Sequence, residues 1–448
     1  MAVTDNSSLF QPMAVNENPA LVSAPKKTPS RPVATGDSSL ESLESQLSNI
    51  DALIEEANSN ERVIELSVVM PCLNEADTLA TCIEKCNQVF KDMKISAEIV
   101  IADNGSTDGS IQIAERLGAR IIHVEARGYG NALRAGISAA RGQYVIMGDA
   151  NDSYDFLEIP KFIGELRAGW RMVQGCRLPS GGGEVLPEAM PFLHRWVGNP
   201  MFSGMVKQMF NAPVNDVYCG LRGFTKELYE ELDLRCTGME FSSEMVIKSS
   251  LFHHDDIAEV PITLHSGDRA AHADLNTFRE GWRTLRFFLV YSPKYLFQVP
   301  GITLMMFGLL AYALALPGIQ LLGAGTDAFA MLFGALGMLV GFQLLQFAVF
   351  SKTFAIEEGL MPKDASLTRY TNWFTLERGL IVGSGMLVAG TVILGVAVNQ
   401  WMTASFGALD YASTMRIVIP GLTMAAIGVQ TIASSFFLGV LKLGRRDN

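Results

Sequence analysis

The sequence predicts an α/β domain followed by four membrane-spanning helices, and two observations carry that prediction. From Val63 to about Leu264, short β-branched runs alternate with helical segments, the pattern of a layered sheet covered by helices. Farther on, no Asp, Glu, Lys or Arg occurs between Lys294 and Asp327, from Ala328 to Ser351, from Gly379 to Leu409, or from Ile417 to Leu441. Each stretch exceeds the roughly 20 apolar residues that cross a bilayer core. With 49% hydrophobic and 18% charged residues over 448 positions, the composition is neither that of a disordered chain nor that of a fibre.

Taken in order, residues 1–37 mix Pro, Ser, Asn and Thr without periodicity and are expected to form a disordered tail. Over 38–58, Leu40, Leu43, Leu47, Ile50 and Ile54 recur at spacings of three and four among Glu41, Glu44, Glu55 and Glu56. This predicts an amphipathic helix, either a short coiled coil or a helix lying on the next domain. The α/β domain spans 62–275. Its strands are expected at Val63–Met70, Glu98–Asp103, Arg120–Val124, Tyr144–Met147 and Ala258–Leu264. Helices are expected at Ala76–Lys91, Thr107–Leu117, Asn131–Ala140, Ile159–Ala168, Leu193–Phe210 and Ser242–Phe252. Residues 276–293 predict an interfacial amphipathic helix, with Phe278, Trp282, Leu285 and Leu289 on one side and Arg279, Arg283 and Arg286 able to reach lipid headgroups. The four spans fill 294–448.

Charge placement sets further expectations. The net charge of −11 argues against a nucleic-acid partner. Lys352, Lys363, Arg369 and Arg378 sit in the second inter-helix loop, and Lys442, Arg445 and Arg446 follow the fourth span. By the positive-inside rule these segments are cytoplasmic, and four spans then place the α/β domain and both termini on the same side. The N-terminus has no basic flank followed by an apolar run, so no signal peptide is expected. Six cysteines without a CxxC pair suit free thiols in a reducing compartment. The spans carry no internal charge, which argues against an ion pathway, and glycine-rich faces such as Gly334 to Gly341 suit close helix packing or a homo-oligomer.

Open α/β sheets place ligands beyond the carboxyl ends of their strands, and the residues found there are unusual. Met70 to Glu75 reads Met-Pro-Cys-Leu-Asn-Glu, and Asp103 to Asp108 reads Asp-Asn-Gly-Ser-Thr-Asp. Asp103 can accept from the N–H edge of uracil or guanine while Gly105 permits a tight turn, although an Asx turn capping a helix accounts for Ser106 to Asp108 as well. Gly128 and Gly130 flank Tyr129 where a helix opens, and such glycines let the backbone approach a diphosphate. No GxGxxG spacing exists, which argues against a nicotinamide dinucleotide. The acidic turn at Asp149, Asn151 and Asp152 is costly unless it binds a cation, and a hard ion such as Mg²⁺ or Mn²⁺ bridging diphosphate oxygens meets that need; a solvated turn is the plain alternative.

In this order the motifs resemble those of family 2, GT-A-fold glycosyltransferases, and among them the polyprenyl-phosphate (dolichyl-phosphate) hexose synthases. The resemblance covers roughly Leu66 to Pro300. It rests on Pro-x-x-Asn-Glu at Pro71 to Glu75, Asp-x-Gly-Ser-Thr-Asp at Asp103 to Asp108, Gly128 to Gly136, the acidic turn, Gly175-Cys176-Arg177, and Asp216 to Arg222. It implies a Rossmann-like nucleotide-sugar-binding domain. The first two motifs, hence Pro71, Leu73, Asn74, Glu75, Asp103 and Asn104, would hold the nucleotide with Gly130, and Asp149 the metal. The family usually has Asp where this chain has Asn151, so either the Asn151 amide or Asp152 completes the metal set.

A lipid phosphate is largely dianionic at neutral pH and needs cations rather than a general base. Arg177, Arg195 and Arg222, with Ser203 on the same helix as Arg195, are the candidates for binding it; ordinary ion pairs are the plain alternative. Asp149, Asp216 and Arg177 are the candidate catalytic groups, Asp216 acting as base only if the acceptor were a hydroxyl. Glu240 and Glu244 are ambiguous with Asp216: one of the three would take the proton of a hydroxyl acceptor, while with a phosphate acceptor they would orient the sugar or Arg222; His265 begins a loop that either covers the donor or merely connects. The expected reaction is a metal-dependent, inverting transfer of one hexose from UDP-glucose or GDP-mannose to a polyprenyl or dolichyl phosphate at the cytoplasmic membrane face. A glycolipid synthase using a hydroxyl such as that of diacylglycerol is the rival. A processive polysaccharide synthase fits less, because His194-Arg195-Trp196 lacks the Gln of the Gln-x-x-Arg-Trp motif, and a non-catalytic membrane scaffold is the reading from another class.

Overall fold

The computed structural model describes residues 64–266, 277–317, 320–321, 324–325 and 328–443. The tail and helix expected over 1–58 lie outside the described residues, as do Arg445 and Arg446. The domain runs β1 (Leu66–Cys72), α1 (Ala76–Met93), β2 (Ala97–Asp103), α2 (Ser110–Arg116), β3 (Arg120–His123), α3 (Tyr129–Ala139), β4 (Tyr144–Met147), α4 (Ile159–Arg167), β5 (Met172–Cys176), β6 (Glu184–Val185), α5 (Asn199–Phe210), β7 (Arg222–Thr225), α6 (Lys226–Leu232), α7 (Glu240–Phe252), β8 (Ile257–Pro261), β9 (Thr263–Leu264) and α8 (Thr277–Val290).

Seven strands form one sheet in the order β3-β2-β1-β4-β7-β5-β8. Alternation along the strands divides the core between the two faces. Val68, Met70, Ile99, Ile101 and Ile146 pack with Leu79 and Ile83 of α1 and Phe162 and Ile163 of α4. Val69, Val100, Val145 and Met147 face the other way, toward Leu133 of α3, Phe210 of α5 and Phe241 of α7. All pairings are parallel except those of β7, which runs antiparallel between β4 and β5 with Met147 opposite Arg222 and Gln174 opposite Arg222. That reversal places the start of β7 beside the ends of β4 and β5. The segments after Met147, after Cys176 and before Arg222 therefore meet at one edge of the sheet.

Several expected elements are shifted. β5 and β7 were not among the expected strands, because Met-Val-Gln-Gly-Cys and Arg-Gly-Phe-Thr contain too few β-branched residues to stand out. The expected Ala258–Leu264 strand is two: β8 pairs with β5, and β9 pairs with β6. The helix expected from Thr107 starts at Ser110, where Asp108 accepts from the Ser110 N–H at 3.0 Å. Leu193–Phe210 is a π-turn over His194–Gly198 followed by α5.

Helix α8 is present, but its buried side differs from the expected one. Phe288 is fully buried and meets Phe202 and Phe210 of α5 edge-on, whereas Trp282 is 56% exposed. Arg283 reaches Glu240 rather than outward.

Among the described residues, four helices are long and apolar enough to cross a membrane: Lys294–Ala315, Ala328–Glu357, Leu376–Thr403 and Tyr411–Leu441. The expected glycine faces pack within the chain. A Cβ on Gly308 of the first would lie 2.6 Å from the Gly334 carbonyl oxygen of the second, and one on Gly390 of the third 2.6 Å from that of Gly421 in the fourth. Gly428→Ala puts a methyl 2.6 Å from Leu387 N and 2.7 Å from Gly383 O, backbone atoms that yield only if the helices part. It is expected to lower the melting temperature in detergent, at a cost of about 1–3 kcal/mol. Gly395→Ala, with nothing within 4 Å, is expected to be neutral or stabilising.

Candidate active site

The loops after β1 and β2 are locked together by their own polar side chains. Asn74 adopts a left-handed backbone, φ 58°, and its Oδ1 accepts from Thr107 N at 2.8 Å. The N–H groups of Asn74, Glu75 and Ala76 donate to Ser106 Oγ, Ser110 Oγ and Asp108 Oδ2 at 3.0, 3.0 and 2.9 Å. Asp103, 3% exposed, closes its turn by accepting from Gly105 N at 3.1 Å and Ser106 N at 3.0 Å, with His123 3.6 Å away. Burial pushes its carboxyl up, but the bonds from Ser106, Gly105 and His123 outweigh it and hold the group below the ordinary carboxylate value. Asn104 carries the lock onward, donating to Val124 O and Ala126 O and accepting from Gly128 N at 2.8 Å. Pro71 lies in β1, and Leu73 beyond it is 48% exposed, an open apolar side chain at the sheet edge.

Gly130 has a packing reason to be glycine. A Cβ there would lie 2.7 Å from Thr237 C and 2.8 Å from Cys236 O, so the glycine loop is clamped against residues 236–238. Between the two glycines, Tyr129 donates its hydroxyl to Asp149 Oδ1 at 2.9 Å. Burial and then the Asp149 carboxylate raise the Tyr129 pKa well above its ordinary value, so the phenol stays a donor.

The acidic turn splits. Asn151 Oδ1 accepts from Ser153 N at 3.2 Å, an Asx turn. Asp152 has a left-handed backbone, φ 53°, and pairs with Lys85 of α1 at 2.9 Å. Asp152 is therefore engaged with a cation of the protein itself. Among the described residues no group of three or more His, Cys, Asp or Glu side chains could hold a metal. His265 ties its backbone N–H to Ser153 O at 3.0 Å, and residues 267–276 lie outside the described ones.

The residues expected to bind an acceptor phosphate are mostly turned inward. Asp216 is fully buried and takes Arg177 Nε at 2.7 Å and Nη2 at 2.9 Å, a two-pronged pair. Burial works against the Arg177 charge, yet Tyr154 and Asp216 beside it push its pKa well above the ordinary value. Arg222, also fully buried, donates to Ser242 O at 2.5 Å and Cys219 O at 2.6 Å, and burial lowers its pKa. Ser203 is 2% exposed and accepts from Val217 N at 3.3 Å, a brace for the segment leading to β7. Arg195 lies over the Trp196 ring, 5.3 Å from its centroid. Glu244, fully buried, accepts from Cys236 N at 2.8 Å and from the Tyr291 hydroxyl at 2.7 Å, fastening the end of α8.

What the structure adds is a cavity of about 730 Å³ between α5, the start of α7 and α8. Leu193, Val197, Met201, Met205, Trp282 and Leu285 make much of its wall, and Asp149, Tyr129, Tyr154 and Gly220 form a polar corner. The Tyr154 hydroxyl accepts from Gly220 N at 2.8 Å and faces Arg177 Nη1 at 3.4 Å. Arg177, Asp216, Arg195, Ser203 and Arg222 do not line the cavity, whereas Asp149 does. Tyr129, Tyr154 and Arg283 line it and were not singled out for the site from sequence, Tyr129 alone having a local signal inside its Gly-Tyr-Gly triplet; Glu240, ambiguous from sequence, lines it too.

A sheet edge that gathers these loops thus lies beside an apolar cavity, in a chain that carries long apolar helices after its α/β domain. Residues 67–233 match the family described as glycosyl transferase family 2, and residues 349–442 match the glycosyltransferase family 2 C-terminal transmembrane region. The chain belongs to glycosyltransferase family 2 and is a hexosyltransferase related to dolichyl-phosphate hexose transferases. It is 39% identical over 386 residues to a low-salt glycan biosynthesis hexosyltransferase of Haloferax volcanii, covering 84% of this chain and 89% of that one. It is 32% identical over 218 residues to a dolichyl-phosphate hexose transferase of the same organism, covering 48% of this chain and 89% of that one. A glucosyl-3-phosphoglycerate synthase from Mycobacterium tuberculosis has a TM-score of 0.41 at 21% identity, covering 50% of this chain and 79% of that one, a likeness too loose to inform the site.

Two measurements check this geometry. Asp216→Asn leaves the Arg177 charge buried without its carboxylate and is expected to cost about 3–5 kcal/mol in unfolding. A melting temperature equal to that of the unaltered protein would contradict the buried pair. Because the Asp103 pKa is depressed in the fold, its contribution is present above the ordinary value of 3.8 and is lost as pH falls through the lower folded value. Asp103→Asn should therefore melt earlier at neutral pH and show a shallower loss of stability in acid.

Proposed function

We propose that this hexosyltransferase moves one hexose from a nucleotide-sugar such as UDP-glucose or GDP-mannose to the phosphate of a polyprenyl or dolichyl lipid, at the cytoplasmic membrane face. The observation that carries the reading is the apolar cavity between α5 and α8 whose polar corner contains Asp149. A prenyl chain matches the apolar wall, and the polar corner marks the end at which its headgroup would react. The named activity of the dolichyl-phosphate hexose transferase relative supports the same acceptor class, and the basic residues Lys352, Lys363, Arg369 and Arg378 around the connection between the second and third spans support the orientation.

In the proposed reaction an acceptor phosphate oxygen attacks the anomeric carbon. The bond from that carbon to the donor diphosphate breaks, its electron pair leaves with the nucleoside diphosphate, and the single displacement inverts the centre. The attacking oxygen carries no proton, so no base is required. This agrees with the state of Asp216, which is fully buried and bound twice to Arg177 and so is ill placed to deprotonate a lipid hydroxyl. By the same geometry the diacylglycerol-type reading loses Asp216 as its base.

The interlocked loops at Asn74, Glu75, Asp103 and Asn104 would hold the nucleotide. Asp149, with the Asn151 amide oxygen as second donor, would hold a hard divalent cation, Mg²⁺ or Mn²⁺, since both offer the oxygen donors such an ion prefers. When bound, such a cation would neutralise charge on the departing diphosphate. Tyr129 orients Asp149 through its hydroxyl, and Asp152 serves the fold through Lys85.

Incubating the full-length protein in micelles with radiolabelled nucleotide-sugars and either polyprenyl phosphate or diacylglycerol tests the acceptor. An acid-labile labelled lipid formed only with the phosphate is expected; label on diacylglycerol alone would overturn the proposal. Asn151→Asp is expected to lower the half-saturating Mn²⁺ or Mg²⁺ concentration several-fold, about 1 kcal/mol of added charge complementarity. Asp152→Ala is expected to leave that titration unchanged.

A further inference from the structure

The arginines expected to meet the acceptor do not face the cavity. Arg177 is held by Asp216, Arg222 by backbone carbonyls, and Arg195 lies over Trp196. Among the described residues that line the cavity, Arg283 is the one Lys or Arg, and it stands on α8 at the membrane-proximal side of the chain order, eleven residues before the first span begins at Lys294. Its guanidinium grips the Glu240 carboxylate with two nitrogens, Nη2 to Oε2 at 2.7 Å and Nε to Oε1. Gly238 leaves the room for this grip, since a Cβ there would lie 2.5 Å from Arg283 Nη2 and 2.6 Å from Glu240 Oε2. Both side chains keep some access to solvent, 46% for Arg283 and 16% for Glu240.

This is the fork geometry that also reads a phosphate. A phosphate monoester brings close to two negative charges and three acceptor oxygens, against one charge and two oxygens for a carboxylate. Glu240 can therefore be exchanged for a stronger partner. The position is also the right one. Residues 236–238 pack on the glycine loop, with Asn131 N donating to Thr237 O at 3.2 Å, and that loop presents Tyr129 to Asp149. The segment that leads into Glu240 at the start of α7 is thus built onto the loop that orients the Asp149 carboxylate.

We propose that Arg283 is the group that receives the acceptor phosphate, and that Glu240 holds the guanidinium in place until the phosphate displaces it. The proposal rests on the lipid-phosphate reading above. It assigns Arg283 a ligand in the cavity rather than in the bilayer headgroups, and it gives Glu240 the role of a competing anion.

The test is the KM for polyprenyl phosphate, measured with the full-length protein in neutral detergent micelles at saturating donor. Arg283→Gln is expected to raise that KM by about ten-fold or more, the usual loss for a hydrogen-bonded charge, with Arg283→Lys in between. Glu240→Gln is expected to lower it, by roughly three- to ten-fold, because the competitor is gone. Donor KM should stay unchanged in all three. Opposite signs at the two positions are not produced by misfolding or by loss of a structural clamp between α7 and α8. If both substitutions raise the acceptor KM, or donor KM moves instead, the proposal is overturned. It is also overturned if the Arg283→Gln effect appears only when anionic phospholipid is added, since the arginine would then be reading the bilayer. An unaltered protein that does not glycosylate polyprenyl phosphate at all would instead refute the acceptor reading, and this inference would fall with it.

Discussion

The packing of Phe288 into the catalytic domain is the contact on which the rest of the site depends. The ring is fully buried between Phe202 and Phe210 of α5, and burial of such a side chain contributes about 1.5–3 kcal/mol. One turn later the Tyr291 hydroxyl donates to buried Glu244, whose other oxygen takes the Arg235 and Cys236 N–H groups at 3.0 and 2.8 Å. The Tyr295 hydroxyl, at the entrance of the first span, donates to Gln208 O of α5 at 3.0 Å. The helix that leads into the membrane is therefore part of the catalytic domain's own core, and the cavity is the space enclosed between α8 and α5. Without this anchor the wall formed by Trp282 and Leu285 has no fixed position.

A second constraint is topological. Because β7 runs against β4 and β5, the chain arriving at Arg222 crosses the ends of both neighbours. The Arg177–Asp216 pair fastens that crossing, and Gly220 lets it pass close to Asp149, since a Cβ there would lie 3.2 Å from Asp149 Oδ2. A buried pair of this kind is weak evidence for added stability, but it fixes which groups remain available for chemistry. Asp216 is removed from acid–base work, and Asp149 is the strand-end aspartate that faces the cavity. An acceptor that needs no deprotonation is the natural match to such a site.

Much of this was legible in the sequence where the signal is local. The strand-end motifs at Pro71 to Glu75 and Asp103 to Asp108 are rich in turn and capping side chains, Asp103 closing its own turn by a short-range rule, while the bonds that join the two loops, such as Ala76 N to Asp108, form only once the strands pair. The four spans follow from composition alone. The inward placement of the expected acceptor arginines was not legible, because a charge count does not reveal a partner thirty-nine residues away in sequence: Arg177 meets Asp216 only after the sheet has formed. Asp152 likewise meets Lys85, sixty-seven residues away in sequence, a pairing that the acidic turn by itself does not reveal. For α8, the periodic pattern gave the helix, yet the side that packs is set by Phe202 and Phe210, and helical spacing cannot show whether an apolar stripe meets lipid or protein. The cavity belongs to no segment, so no reading of one segment contained it.

The central claim is that the space between α5 and α8 receives a prenyl chain with its phosphate toward Asp149. Photocrosslinking with a polyprenyl phosphate that carries a diazirine on its first isoprene units, followed by peptide mapping, addresses it directly. Adducts within 193–205 and 281–287 that are suppressed by unlabelled polyprenyl phosphate are the expected result. Adducts confined to the four membrane helices, or adducts in the cavity that unlabelled lipid phosphate does not suppress, would contradict the account.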